Sequence, residues 1–189
     1  MNKRNELAKK AHANAVAKGF YKEKMSNEHY LMLIISEVAE LVEADRKGLC
    51  ANVKSFERMY SNEQSFPFKS MYNRDTTASS FAQNIKNTKE DEFADIAIRL
   101  YYLAGHLGVD LIGISMSFRA TPISEMTFTE NGVRLIRGLT NNEASVHNIS
   151  WALNYVYEWA EHENIALDYF ITHKMRYNEG REVLHGNKY

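Results

Sequence analysis

Two stretches of this chain repeat apolar residues at a spacing that only a helix brings to one side. In LMLIISEVAELVEADRKG, the residues Leu31, Ile34, Ile35, Val38, Leu41 and Val42 recur every three or four positions. In KEDEFADIAIRLYYLAGHLGV, Phe93, Ile96, Ala97, Leu100, Leu103, Ala104 and Leu107 do the same. This period is the template of an amphipathic helix with one core-facing stripe. The first such helix is expected from Ser26 to Lys47, stopped by Gly48. The second opens at a capping-box pattern, Thr88 with Asp91, and ends near Gly108. Such stripes predict an all-α helical bundle.

The remaining segments follow the same reading. Leu7, Ala11 and Ala15 mark an amphipathic helix ended by Gly19, and the first twenty residues lack the continuous apolar core of a signal peptide. A second capping-box pattern, Thr140 with Glu143, introduces Val146, Ile149, Leu153, Val156, Tyr157 and Ala160, and a last helical piece covers residues 165 to 178. Pro67 and Pro122 mark breaks. Residues 50–87 read as a partly helical insertion or long loop, and 113–138 as turn-rich, with a short strand at Met126-Thr127-Phe128 or a crossover loop. The 189 residues suit a single domain spanning 1–189.

Charge and composition exclude several classes. A net charge of -1 recruits neither nucleic acid nor an anionic membrane. No apolar run reaches the ~18–20 residues of a membrane span. The single cysteine, Cys50, rules out an intrachain disulfide and suits a reducing, cytoplasmic setting.

What singles out the two striped helices is their acid. Glu37-x-x-Glu40 and Glu92-x-x-Asp95 each put two carboxylates on one helix face. Glu37 and Glu40 lie about 100° and 160° from the centre of their stripe, and Glu92 and Asp95 about 75° and 135° from theirs. If the helices pack antiparallel, these equal offsets face each other across one groove. Four carboxylates so placed repel unless a cation lies among them, and a hard divalent ion is the natural occupant. Glu158-x-x-Glu161 has the same spacing and reads as surface. Arg99 and His106 continue the Glu92 flank, with Arg99 placed to reach phosphate or Asp95. Near the C-terminus, Lys174, Asn178 and Arg181 recur at four and three, and Lys188 follows, in a stretch with four Lys/Arg against Glu179 and Glu182. Lys and Arg both suit phosphate oxygens.

The order ISEVAELVEADRKG, EDEFADIAIRL, HKMRYNEGREVLHGNKY resembles the MazG-like, all-α nucleoside triphosphate pyrophosphohydrolases, over roughly half the chain. The resemblance implies hydrolysis of a nucleoside triphosphate, a dNTP or non-standard NTP, to monophosphate and pyrophosphate. It implies Mg²⁺, with Mn²⁺ as a substitute, and a homo-oligomer, dimer or tetramer. Position by position, Glu37, Glu40, Glu92 and Asp95 match the metal ligands, and Lys174, Asn178, Arg181 and Lys188 the phosphate-side residues. Glu37 or Glu40 is the expected proton acceptor for the attacking water. Tyr30, Trp151 and Tyr155 are candidates to stack on a base. The chain departs from the family pattern in the long separation of its acidic pairs and in its 120s segment.

The rival readings are fewer. A di-iron carboxylate bundle needs Glu-x-x-His pairs, and the one match, Glu182 with His185, lies between two glycines. P-loop and H-E-x-x-H motifs do not occur. A non-catalytic helical interaction or oligomerisation protein explains the stripes but not the basic C-terminal constellation.

Overall fold

A computed structural model describes residues 3–20, 25–65, 76–111, 121–141 and 146–182. Among these residues the chain is helical throughout, with no strand. The helices are α1 (Lys3–Ala17), α2 (Asn27–Arg46), α3 (Val53–Ser65), α4 (Thr76–Asn84), α5 (Lys89–Leu107), α6 (Phe128–Thr140), α7 (Val146–His162) and α8 (Leu167–Glu179). A 3₁₀ turn at Ile123–Glu125 precedes α6. None is long and apolar enough to cross a membrane.

The ends of α2 and α5 fall where the capping residues place them. Ser26 accepts the His29 N–H to open α2, and Gly48, at φ +64, follows its end. Thr88 accepts the Asp91 N–H, and Gly108 closes α5 in the left-handed conformation. The Thr88–Asp91 box is only half formed, because the Asp91 carboxylate takes the N–H of Asn87 rather than that of Thr88.

Helix α5 is the axis of the bundle and packs on α1, α2, α7 and α8. Ten of its nineteen residues are buried, more than one stripe can supply, so its flanks are covered as well. Ion pairs fix the direction of α2 against it: Glu37 meets Arg99, and Asp45 meets Lys89. As one number rises the other falls, so the two helices are antiparallel, the arrangement on which the convergence of their acids depends. On another side, α1 approaches closely because Gly105 has no side chain. A Cβ there would lie 2.6 Å from the Ala8 carbonyl oxygen and 2.8 Å from the His12 Cβ.

Three expectations change. The 50–87 segment contains two helices, α3 and α4. Phe56 and Phe81 pack edge to face and are buried to 1%, so these helices belong to the core. The 113–138 segment is not turn-rich throughout, and Met126-Thr127-Phe128 is no strand. Thr127 is the N-cap of α6, in a complete capping box with Glu130. Buried Asn131 holds the preceding turn by donating to the carbonyls of Ile123, Met126 and Thr127, and it accepts from the Tyr155 hydroxyl. Thr140, finally, lies in the last turn of α6 and donates to the Ile136 carbonyl, while Glu143, its expected capping partner, falls outside the described residues.

Candidate functional site

The acids of α2 and α5 open into one cavity of about 620 Å³, walled also by α1 and α8. That size is ordinary for a small-molecule site. Glu37, Glu40 and Glu92 each bring a carboxylate oxygen within 4.8 Å of the others. Glu37 and Glu92 are buried and Glu40 is exposed, so the group is inserted into the wall and opens on one side.

The electrostatics of this trio are unfavourable. Burial and the neighbouring Asp95 charge push the Glu37 carboxyl up to about 7, although Arg99 pulls it back through a 2.5 Å hydrogen bond from its Nε. Glu92 has no such partner. Burial, then Asp95 and Asp91, raise it to about 9, and its buried Oε2 has no hydrogen-bond partner. A buried carboxylate oxygen left without a donor is rare and needs a cause.

The donor set fits a hard divalent cation. It is all oxygen, and opposite ligands around Mg²⁺ at 2.0–2.1 Å lie about 4.2 Å apart. The span of the trio is slightly looser than that, and the exposed Glu40 side chain has room to close it. The same cavity holds a second orphan, the buried Oδ1 of Asn178.

Asp95, the fourth expected ligand, is not in the trio, although its charge acts on both Glu37 and Glu92. Its Oδ2 is 2.6 Å from the Lys174 Nζ, and the Asp91 Oδ1 is 2.7 Å from the same nitrogen. Asp91 is buried to 1%. Burial and Asp95 push its carboxyl up to about 6, against the pull of Lys174. Burial opposes the charge on Lys174, but Asp95 and Asp91 together outweigh it and hold the ammonium above the ordinary lysine range. Lys174, expected on the phosphate side, is thus committed to two carboxylates. Asp91 was not among the expected site residues; its place directly before Glu92, read as a cap position, was the available signal.

The other expected residues divide. Asn178 and Arg181 line the cavity, as do Lys18 and Lys86, which sequence did not single out. Lys18 ties the end of α1 to the end of α8 by donating to the backbone carbonyls of Glu179 and Arg181. Lys188 lies outside the described residues. Of the candidate stacking residues, Tyr30 lines the cavity. Trp151 and Tyr155 instead stack on each other at 5.1 Å on α7. Arg99 reaches Glu37 on the facing helix rather than Asp95 on its own. Glu158 and Glu161 are exposed, as the surface reading required.

No family model, no curated protein and no solved structure matches this chain.

Proposed function

We propose that the chain is a Mg²⁺-dependent nucleoside triphosphate pyrophosphohydrolase, of the all-α kind that its motifs resemble, cleaving between the α- and β-phosphates. The observation that carries this reading is the orphaned, buried Glu92 carboxylate, held beside Glu37 and Glu40 in a cavity whose wall also carries Asn178 and Arg181. A cluster this poorly neutralised is destabilising unless its occupant is a cation.

Glu37, Glu40 and Glu92 would hold the ion. When bound, the ion neutralises charge on phosphate oxygens and orients them for attack. The chain itself does the rest. Arg99 fixes the rotamer of Glu37 from the facing helix and favours its charged form. Arg181 and Lys86 bring positive charge to the same wall, where triphosphate oxygens need it. Glu37 and Glu40 are the candidate proton acceptors for water. Arg99 occupies Glu37 Oε1, whereas Glu40 is exposed and forms no ion pair among the described residues, which favours Glu40.

The test is product identity. The protein is incubated with a panel of canonical and modified NTPs and dNTPs plus Mg²⁺, and the products are separated by chromatography. Monophosphate and pyrophosphate are expected. Diphosphate and phosphate as the primary products would remove the chain from this reaction class, and no turnover of any nucleotide would leave the helical interaction protein as the better reading.

A further inference from the structure

The cavity wall carries five carboxylates, and the chain neutralises them unevenly. Arg99 serves Glu37, Lys174 serves both Asp91 and Asp95, and Glu92 has no ion-pair partner among the described residues, its buried Oε2 lacking any hydrogen bond. Asp91 and Asp95 are four apart on α5, so they project from one face a turn apart and converge on a single point. Two carboxylates converging in that way make a natural cation position, and Lys174 Nζ occupies it, 2.7 and 2.6 Å from their oxygens.

The ammonium is held there from behind as well. It lies over the rings of Phe81, at 5.6 Å from the centroid, and Tyr177, at 6.0 Å. Those rings stack on each other at 4.6 Å and 17°. Phe81 comes from α4 and Tyr177 from α8, so three helices form the seat. Ring faces attract an ammonium but are poor ligands for Mg²⁺ or Mn²⁺, which require oxygen. With Lys174 exposed to only 4%, a displaced ammonium would find no other carboxylate behind it among its described partners. An ion entering beside a retained ammonium would meet a like charge at close range.

We propose that Lys174 is a tethered counter-cation filling a latent second divalent-ion position at Asp91 and Asp95, so that the chain takes one divalent ion, at Glu37, Glu40 and Glu92. This rests on the reading that the trio holds such an ion. The chain supplies the second positive charge from its own sequence, and α4 of the 50–87 segment helps to seat it through Phe81.

The test counts Mn²⁺ on the full chain without nucleotide, by equilibrium dialysis and by the spin count of free Mn²⁺. Wild type binds one tight ion. Lys174→Met binds two, and adding Glu92→Gln returns the count to one. Two tight ions on wild type, or only one on folded Lys174→Met, overturns the inference and leaves the functional reading standing. No ion on wild type overturns the functional reading itself, and this inference with it. Should Lys174→Met fail to fold, Asp95→Asn decides. It keeps one Mn²⁺ with less than about tenfold weakening, whereas Glu92→Gln, which removes a ligand, weakens binding by about 100-fold or more. Equal large losses in both variants would make Asp95 a ligand and overturn the proposal.

Discussion

Asp91 and Asp95 differ from Glu37, Glu40 and Glu92 less in chemistry than in what faces them. Both groups are carboxylates projecting from capped helices into one cavity. The aspartates meet a lysine carried by α8 and form a closed unit in which one ammonium serves two carboxylates. The glutamates meet mainly one another, and among the described residues only Glu37 has a cationic ion-pair partner, Arg99. Where a protein neutralises some of its buried acids and leaves their neighbours bare, the bare ones mark the place where something from outside completes the charge.

The largest effect that could break this comparison lies on the aspartate side. Lys174→Met leaves two carboxylates facing each other without a cation, and removing one partner of a buried ion pair costs about 3–5 kcal/mol. Urea denaturation of the metal-free protein should show a loss of that size, reduced by millimolar Mn²⁺. A loss below about 1 kcal/mol would mean that the unit is solvated and contributes little, as exposed pairs do.

On the bare side, Glu92→Gln should act in the opposite sense on stability. It replaces a carboxyl that burial holds protonated at neutral pH with a neutral group of the same shape, so the metal-free protein should melt at a higher temperature. Its rate of nucleotide hydrolysis should nonetheless fall on the order of 10²-fold or more, because charge stabilisation dominates phosphoryl transfer. A variant that is both less stable and fully active would reverse the assignment of the two halves.

A pH profile sharpens the contrast without mutation. Glu92 has a folded-state pKa raised to about 9 from 4.5, so between those values the folded chain binds more protons than the unfolded one. Metal-free stability therefore falls as pH rises through that window. Glu37 adds the same trend up to about 7, and Asp91 up to about 6. His106 and His173, both lowered by burial, pull the other way around and below 6.5. From pH 7 to 9 Glu92 thus contributes most of the trend. The melting temperature should drop across it, and the upward shift given by Mg²⁺ should grow, since the ion binds the deprotonated form. A melting temperature that stays level from pH 7 to 9 would mean that Glu92 is not strained.

The smallest effect is a control. Glu158 and Glu161 reproduce the spacing of Glu37 and Glu40 on an exposed face. Glu158→Gln should change stability by no more than about 0.5 kcal/mol and leave hydrolysis near wild type. A Glu158→Gln defect as large as that of Glu92→Gln would show that spacing, rather than placement, had suggested the site.

The parts of this arrangement visible in sequence are those that local chemistry decides. Ser26, Gly48, Thr88 and Gly108 bound α2 and α5 because each satisfies or releases backbone groups at a helix end, which needs no tertiary partner. The wheel positions of Glu37, Glu40 and Glu92 follow from those bounds. Helix α6 was hidden by its own glycines. Gly132 lies beside Val38 and Val42, and Gly138 is required because a Cβ there would stand 2.0 Å from the Trp151 ring. Both look like turn signals until the packing partner is known. Thr140 with Glu143 mimicked a cap for the converse reason: a motif of two residues does not state whether it begins a helix or ends one. The union of Lys174 with Asp91 spans 83 residues, and no periodicity reports a contact at that range. The charge balance that distinguishes the two halves is therefore a property of the assembled bundle.

The missing side chain at Gly105 reaches further than the crossing it permits. It lets α1 settle as a wall of the cavity, to which the helix brings Ala11, Asn14 and Ala15 but none of the five carboxylates. The residues of the proposed reaction lie on or beside α2, α5 and α8, whereas part of the cavity's outline is set by a helix that supplies none of them. A lineage could thus exchange one ligand shape for another by rewriting the inner face of α1, while leaving all five carboxylates untouched.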